Sequence, residues 1–233
     1  MSYAEITYRS RNPIRRRLHD KRFKDARDLL APKENDKILD YGCGDGHLLE
    51  LCKTKVKADN LIGYDPVPVM AKDAHNNLKG TSISVYSDLH EIRTKFDKVA
   101  CLDTIEHLYE DDIHKLMNNL YQLSKKDALI LISVPIEIGI PVIFKNLFRL
   151  LRKRADDTLN FRDYINTILK KPVPRIQNQI FDGNRYIYSH VGFDHRDFEK
   201  VLKKYFNVEQ RICMPFPVFG TSLNNSIYYI CKK

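Results

Sequence analysis

A doubly wound α/β fold is predicted, with a mostly parallel sheet of seven strands and an antiparallel hairpin at its C-terminal end. Three observations predict it. Strand-like runs alternate with helical periodicity from residue 37 to residue 134, the pattern of a parallel sheet covered by helices on both faces. Residues 128–134 are continuously apolar, as expected of a strand buried on both sides. The last two strand-like runs, 207–214 and 226–231, are separated by a short stretch containing Pro215, Pro217 and Gly220, which suits a hairpin.

Each element follows from local residue chemistry. Asn12-Pro13 reads as an N-cap followed by proline at the first helical position, where its missing N–H is not needed. Ile14, Leu18, Ala26, Leu29 and Leu30 form an apolar stripe, so a helix is predicted over 13–30, ended by Ala31-Pro32. A strand is predicted over 37–41, then a glycine-rich turn, Gly42-Cys43-Gly44-Asp45-Gly46, then a helix over 47–55. Strands over 60–64, 82–86 and 98–102 and helices over 67–77 and 111–123 continue the alternation. The pattern changes between 136 and 190, where helices are predicted over 140–154 and 158–170, extended chain at Pro172 and Pro174, and a turn at Asp182-Gly183. This block is read as a helical insertion on the acceptor side of a single domain spanning 1–233. Asp194 is the expected N-cap of a final helix carrying Phe198, Val201, Leu202 and Tyr205.

Composition narrows the class. The hydrophobic share of 43% and charged share of 30% argue against global disorder. Five scattered cysteines include no Cys-x-x-Cys pair, so neither a zinc ribbon nor a thioredoxin-type site is supported. The most apolar region, 128–144, is broken by Pro135, Glu137, Gly139 and Pro141, so no transmembrane segment is expected. The first 17 residues turn basic without an apolar stretch, unlike a secretory signal, and a cytoplasmic protein is expected. The net charge of +9 is concentrated in two places. One is the run from Arg9 to Arg27; the other is Lys145, Arg149, Arg152, Lys153 and Arg154. Such positive fields attract phosphates of nucleic acid, lipid headgroups or nucleotide-linked substrates.

The chemistry-bearing motif is Asp40-x-Gly42-x-Gly44-x-Gly46, set between a strand and a helix. Glycines let a backbone approach a ligand closely, and N–H groups at the start of the helix point toward it. Asp65, at the end of the next strand, is placed to accept hydrogen bonds from both ribose hydroxyls of a nucleoside. Dinucleotide dehydrogenases favour a third glycine three places after the second, which is His47 here. The observed spacing instead resembles motif I of the class I S-adenosylmethionine-dependent methyltransferases. Ile62-Gly63-Tyr64-Asp65 resembles their second-strand motif, and Phe96-Asp97-Lys98-Val99 through Leu102-Asp103-Thr104-Ile105-Glu106-His107-Leu108 their fourth-strand motif. His190-x-Gly-Phe-Asp-x-Arg-x-Phe198 resembles the segment before their last helix. The similarity covers about 30–135 and 188–233 and looks closest to the branch holding ubiquinone-type and polysaccharide-pathway O-methyltransferases.

The resemblance implies a Rossmann-like methyltransferase fold, S-adenosyl-L-methionine as cofactor, and an adenine contact at Asp88. The expected cofactor-binding set is Asp40, Gly42, Cys43, Gly44, Gly46, Asp65, Pro66, Asp88, Leu102 and Asp103, the last two because they end the fourth strand. Because the sulfonium donor is already activated, alignment of acceptor and methyl is the protein's main task, and no metal is expected. His107, just past the fourth strand, is the candidate general base, with His190 a second candidate. The expected reaction is in-line methyl transfer to a small or lipid- or saccharide-linked acceptor, at oxygen. RNA methylation through the basic N-terminal helix and the insertion is the alternative, and a non-catalytic cofactor-binding module the third. Against base-directed RNA chemistry, the fourth strand lacks an Asn/Asp-Pro-Pro-aromatic loop and the fifth ends Ser133-Val134-Pro135 without a cysteine. The amphipathic helix at 140–154 is a candidate for peripheral membrane contact.

Overall fold

In the computed structural model seven strands form one sheet in the order β3-β2-β1-β4-β5-β9-β8, and two more form a small hairpin. The structure describes residues 13–143, 145, 161–175, 180–181 and 184–233. The strands are β1 (Ile38–Tyr41), β2 (Leu61–Tyr64), β3 (Ser84–Tyr86), β4 (Phe96–Leu102), β5 (Ser124–Pro135), β6 (Ile180–Phe181), β7 (Asn184–Arg185), β8 (Asn207–Met214) and β9 (Ser226–Lys232). The described helices are α1 (Pro13–Leu30), α2 (His47–Cys52), α3 (Pro68–Asn77), α4 (Glu110–Leu123), α5 (Phe161–Ile168) and α6 (His195–Leu202). The β1 strand pairs in parallel with β2 and β4, and β2 with β3, while the C-terminal strands run antiparallel, as the sequence predicts.

Element boundaries follow local chemistry. Proline opens α1 and α3, where no amide partner is required. Three acids, Glu110, Asp111 and Asp112, begin α4 and complement its positive N-terminal dipole. The Asp194 carboxylate accepts from the Arg196 amide and caps α6 as expected, whereas Tyr205 falls beyond that helix. The predicted cap Asn12 lies outside the described residues, as do 144 and 146–154 of the predicted helix at 140–154, 158–160 of the predicted helix at 158–170, and the turn at 182–183.

Packing divides the chain into two compact units. One comprises Met1–Leu102, Asn119–Leu131 and Cys231–Lys233; the other comprises Asp103–Asn118 and Ile132–Ile230. In the first unit the apolar residues of β1 and β4 are buried, and Ile38, Leu39, Val99 and Ala100 fully so. Removing each such side chain from water contributes about 1.5–3 kcal/mol for residues the size of valine or leucine. The inner face of α1 differs from the predicted stripe. Leu18 is exposed, while Ala26 and Leu30 are buried and the His19 and Phe23 rings meet at a tilt, centroids 4.8 Å apart. Phe23 then meets the ring of His47 edge-on at 5.2 Å, so α1 docks on the first residue of α2.

In the second unit Ile132, Val134, Ile136, Val142, Phe193, Phe198 and Tyr228 are buried. The β6 and β7 strands pair antiparallel, Ile180 opposite Arg185 and Phe181 opposite Asn184, on either side of the predicted turn.

Candidate functional site

The β1 strand lies between β2 and β4, so the direction of winding reverses beside it. In open α/β sheets ligands bind beyond the carboxyl ends of strands at such a switch point. The turn that follows β1 lies at that switch point. Gly42, Gly44 and Gly46 all have positive φ, at 78°, 56° and 83°. Gly46 cannot be replaced freely, because a Cβ there would stand 2.8 Å from Leu78 Cδ1 on top of its left-handed backbone. The next strand is shaped to match. A Cβ on Gly63 would lie 2.9 Å from both Cys43 Sγ and Leu49 Cδ1, so the turn and α2 close directly over β2.

Hydrogen bonds hold the turn in register. The Gly42 and Cys43 amides both donate to the Tyr64 carbonyl, at 2.7 and 3.0 Å. The Cys43 side chain is buried, and burial pushes its thiol well above the usual range. Asp65 is buried at the end of β2 and accepts from the Gly44 amide at 2.9 Å and the Val67 amide at 3.0 Å. A carboxylate has about four acceptor positions, so capacity for two hydroxyl donors remains. Asp40 and Asp45 are buried with it. Burial pushes Asp65 up to about 6, and burial with repulsion from Asp65 and Asp45 pushes Asp40 up to about 8. Desolvated carboxyls whose charged forms are disfavoured in this way fit a ligand that carries positive groups, which would restore their ionisation. S-adenosylmethionine carries two, a sulfonium and an ammonium.

The other expected cofactor residues are placed less tellingly. Asp88 is exposed and its carboxylate caps a short turn, accepting from the His90 amide at 2.8 Å. Leu102 is buried at the last position of β4. Asp103, in the second unit, has positive φ at 47° and accepts from the Ser133 hydroxyl at 3.1 Å.

In the second unit the chain bends after Asp103 into a single helical turn, Ile105–His107. The bend brings together both candidate bases, although 83 residues separate them in sequence: His107 Nε2 and His190 Nε2 are 3.4 Å apart. The His107 Nδ1 donates to the Ile187 carbonyl at 2.8 Å, which leaves the lone pair on Nε2. Burial, with repulsion from His190, holds His107 down to about 4. Glu106 is buried beside them, and one ligand atom from each of Glu106, His107 and His190 lies within 4.8 Å of the others. One carboxylate oxygen and two imidazole nitrogens suit a divalent transition-metal ion, and an Nδ1–H fixed by a carbonyl is how metal-binding imidazoles are commonly oriented.

Sequence reasoning missed the groups that support this cluster. Glu137, 2% exposed, is ion-paired to Lys145 at 2.9 Å, with its carboxylate oxygen 3.9 Å from His190 Nδ1. A lone acid interrupting an apolar run was the available signal. Lys145 also donates to the Ile136 carbonyl at 2.9 Å, so this part-buried member of the predicted second basic cluster is tied to Glu137 and the chain beside it. Arg175 donates to the Leu108 carbonyl at 2.8 Å and to the Glu106 carbonyl, clamping the turn on both sides of His107. Tyr186 lies flat on His107, centroids 4.5 Å apart and planes 12° apart.

Comparison with known proteins agrees with this architecture. A family model described as a methyltransferase domain matches residues 14–177. A small RNA 2'-O-methyltransferase of Rattus norvegicus is 29% identical over 153 residues, covering 57% of this chain and 36% of the relative. The chain thus spans about a third of the length of that relative. Among solved structures, magnesium protoporphyrin IX methyltransferase from Synechocystis PCC 6803, with bound S-adenosylhomocysteine, superposes with a TM-score of 0.59. Its identity to this chain is 16%, with 96% of this chain and 89% of that one covered. The PH0226 protein of Pyrococcus horikoshii gives a TM-score of 0.61 at 16% identity, covering 99% and 95%. Its sheet order, the glycine turn after β1 and the matching family model together make this chain a member of the class I S-adenosylmethionine-dependent methyltransferases.

Proposed function

We propose that this chain transfers a methyl group from S-adenosylmethionine to a ribose hydroxyl of RNA, with Glu106, His107 and His190 receiving the hydroxyl. The observation that carries the proposal is the convergence of the two Nε2 atoms and the Glu106 carboxylate in one small cluster. A hydroxyl must lose its proton during transfer, unlike a thioether or a carboxylate, so it needs such a group of acceptors or an ion held by them.

The cofactor supplies an electrophilic methyl group on sulfur. The residues proposed to hold it are Gly42, Gly44 and Gly46 by their backbone, with Asp65 accepting from the ribose hydroxyls. Asp40 is buried beside them, and its raised carboxyl would ionise more readily as a cationic ligand binds. Asp88 at the adenine, and Cys43, Pro66, Leu102 and Asp103 as lining, complete the proposed set. Cys43 contributes shape rather than donors, since its amide already serves Tyr64.

The cluster at Glu106 departs from the expectation that no metal is involved. Its donor set supports a divalent cation, which when bound would lower the pKa of a coordinated hydroxyl. His107 and His190 would then act as ligands, with the Ile187 carbonyl and Glu137 orienting them. RNA is favoured over the small, lipid-linked or saccharide-linked acceptors by charge. Arg16 and Arg17 are exposed on α1, and the chain carries a net charge of +9. The small RNA 2'-O-methyltransferase relative supports the same reading. No described helix is long and apolar enough to cross a membrane.

The test uses the purified full chain with methyl-labelled cofactor and a set of short RNAs in which each ribose in turn is 2'-deoxy. Label should enter RNA, vanish when one particular hydroxyl is removed, and be suppressed by EDTA and restored by Mn²⁺. Binding should weaken steeply as salt rises. Label appearing only in lipid or saccharide fractions of an extract would overturn the RNA assignment. EDTA-resistant transfer would return His107 to the role of base.

A further inference from the structure

The second unit also carries apolar surface that the proposed reaction does not use. Ile140, Ile143, Ile165 and Leu169 are exposed, Ile140 at 51% and Leu169 at 57%. Ile165 and Leu169 lie one helical turn apart and so share a side, and the Leu169 amide donates to the Ile165 carbonyl at 2.9 Å. Ile140 and Ile143 are joined across a tighter turn, the Ile143 amide donating to the Ile140 carbonyl at 3.0 Å. The two pairs are fastened together. The Gly139 amide donates to the Thr167 carbonyl at 2.8 Å. A Cβ on Gly139 would stand 3.0 Å from Lys170 Cε, so the lysine stem lies over the residue before Ile140. Arg196 of α6 donates to the Lys170 carbonyl at 2.9 Å, which fixes the chain just past α5. Core packing does not account for the four exposed side chains, because the buried Val142 and Thr167 fill the inward side of these segments.

The charges beside these residues leave one sign in excess. Lys170 and Lys171 are exposed, and among the described residues neither ammonium has an ion-pair partner. At the start of α6, Asp194 and Asp197 are already taken by Arg196 at 2.6 Å and Lys200 at 2.7 Å. The sequence from 139 to 171 holds eight basic residues against three acids. Exposed aliphatic groups beside unpaired cations suit the boundary of an anionic bilayer. There the aliphatic groups enter the acyl region while long basic side chains reach headgroup phosphates. RNA would use the cations alone, since all four exposed residues are aliphatic and offer no ring for a base to stack on. We infer that the turn at 140–143 and the outer side of α5, with residues 169–171, dock the enzyme on an anionic lipid surface. This goes beyond the acceptor assignment and does not depend on it.

The experiment sediments the purified full chain with vesicles of phosphatidylcholine, alone or mixed with phosphatidylglycerol. The wild type should bind the anionic vesicles only, and less as salt rises. Lys170→Ala with Lys171→Ala should weaken binding about 30-fold, roughly fivefold for each cation at the surface. Ile165→Ser with Leu169→Ser should weaken it at least about tenfold at every salt concentration. Both pairs should keep the wild-type circular dichroism spectrum and affinity for S-adenosylhomocysteine, which a folding defect would not allow. A wild type that ignores anionic vesicles, or binding that survives both pairs of substitutions, overturns the docking surface. It is equally overturned if the lysine pair loses RNA while keeping vesicles, since the patch then serves nucleic acid. Conversion of a wild-type dimer to monomer by the serine pair, without vesicles, would instead make this face a contact between copies. If vesicles are bound but RNA is never labelled, the ribose reading fails and the docking surface stands.

Discussion

The glycine turn after β1 and the histidine cluster of the second unit are built on opposite plans. The turn is contiguous. Its main-chain shape comes from residues 40–46, and one further acid, Asp65, locks it through the Gly44 amide. The cluster is assembled from distant pieces: His107 and Glu106 from a bend after β4, His190 from 83 residues further on, and Arg175, Tyr186 and Glu137 from segments between. Its geometry is carried by side chains on each other and on carbonyls. A site made of backbone tolerates little change in residue type but needs few partners. A site made of side chains depends on every segment that positions it.

That contrast orders the expected effects of mutation. The largest belongs to the cluster. His107→Ala or His190→Ala should lower turnover about 100-fold or more, while calorimetric affinity for the cofactor stays within a factor of about three. A matched loss of cofactor binding would erase the division of labour between the two regions. Next, Asp65→Ala should weaken S-adenosylmethionine binding at least tenfold, equivalent to about 1.4 kcal/mol, with an unchanged circular dichroism spectrum. Unchanged affinity would remove Asp65 from the ribose. Third, Gly46→Ala should lower Tm by roughly 2–8 °C. A left-handed alanine costs about 1–2 kcal/mol, and the added Cβ meets Leu78. An equal fall for Gly80→Ala, where positive φ occurs without a neighbour, would show that conformation alone matters.

The last expected effect is in pH, and its sign differs between the regions. Asp65 and Asp40 have folded pKa values of about 6 and about 8, above the ordinary value of 3.8. The folded state therefore holds more protons than the unfolded state, and stability falls as pH rises from about 4 toward 8. His107, at about 4 against an ordinary 6.5, holds fewer protons when folded. Its contribution is intact above about 6.5 and is lost as pH falls toward 4. Thermal melts of Asp40→Asn should show less loss on the alkaline side, and those of His107→Gln less on the acidic side. Saturating cofactor, being cationic, should flatten the alkaline loss. An identical slope with and without cofactor would separate those acids from the binding site.

How much was legible in the sequence follows the same division. The strand–turn–helix frame, the parallel order and the closing hairpin came from period, glycine spacing and proline placement. Those are properties of neighbouring residues, and the observed boundaries differ by only a few positions. The inner face of α1 was misread at Leu18, because what it packs against, the ring of His47, is a tertiary fact. His107 and His190 were each legible as candidates, but their pairing was not, since nothing in a linear pattern measures a 3.4 Å approach across 83 residues.

The sequence by itself determined the turn proposed to meet the cofactor, because backbone conformation is dictated locally by which residues tolerate a left-handed φ and by what surrounds them in the chain. Only the tertiary structure decided the company His107 keeps. Burial, the Arg175 clamp, the Tyr186 stack and the facing imidazole all arrive through packing of remote segments, and the chemistry of a titratable side chain is set by its surroundings rather than by its neighbours in sequence.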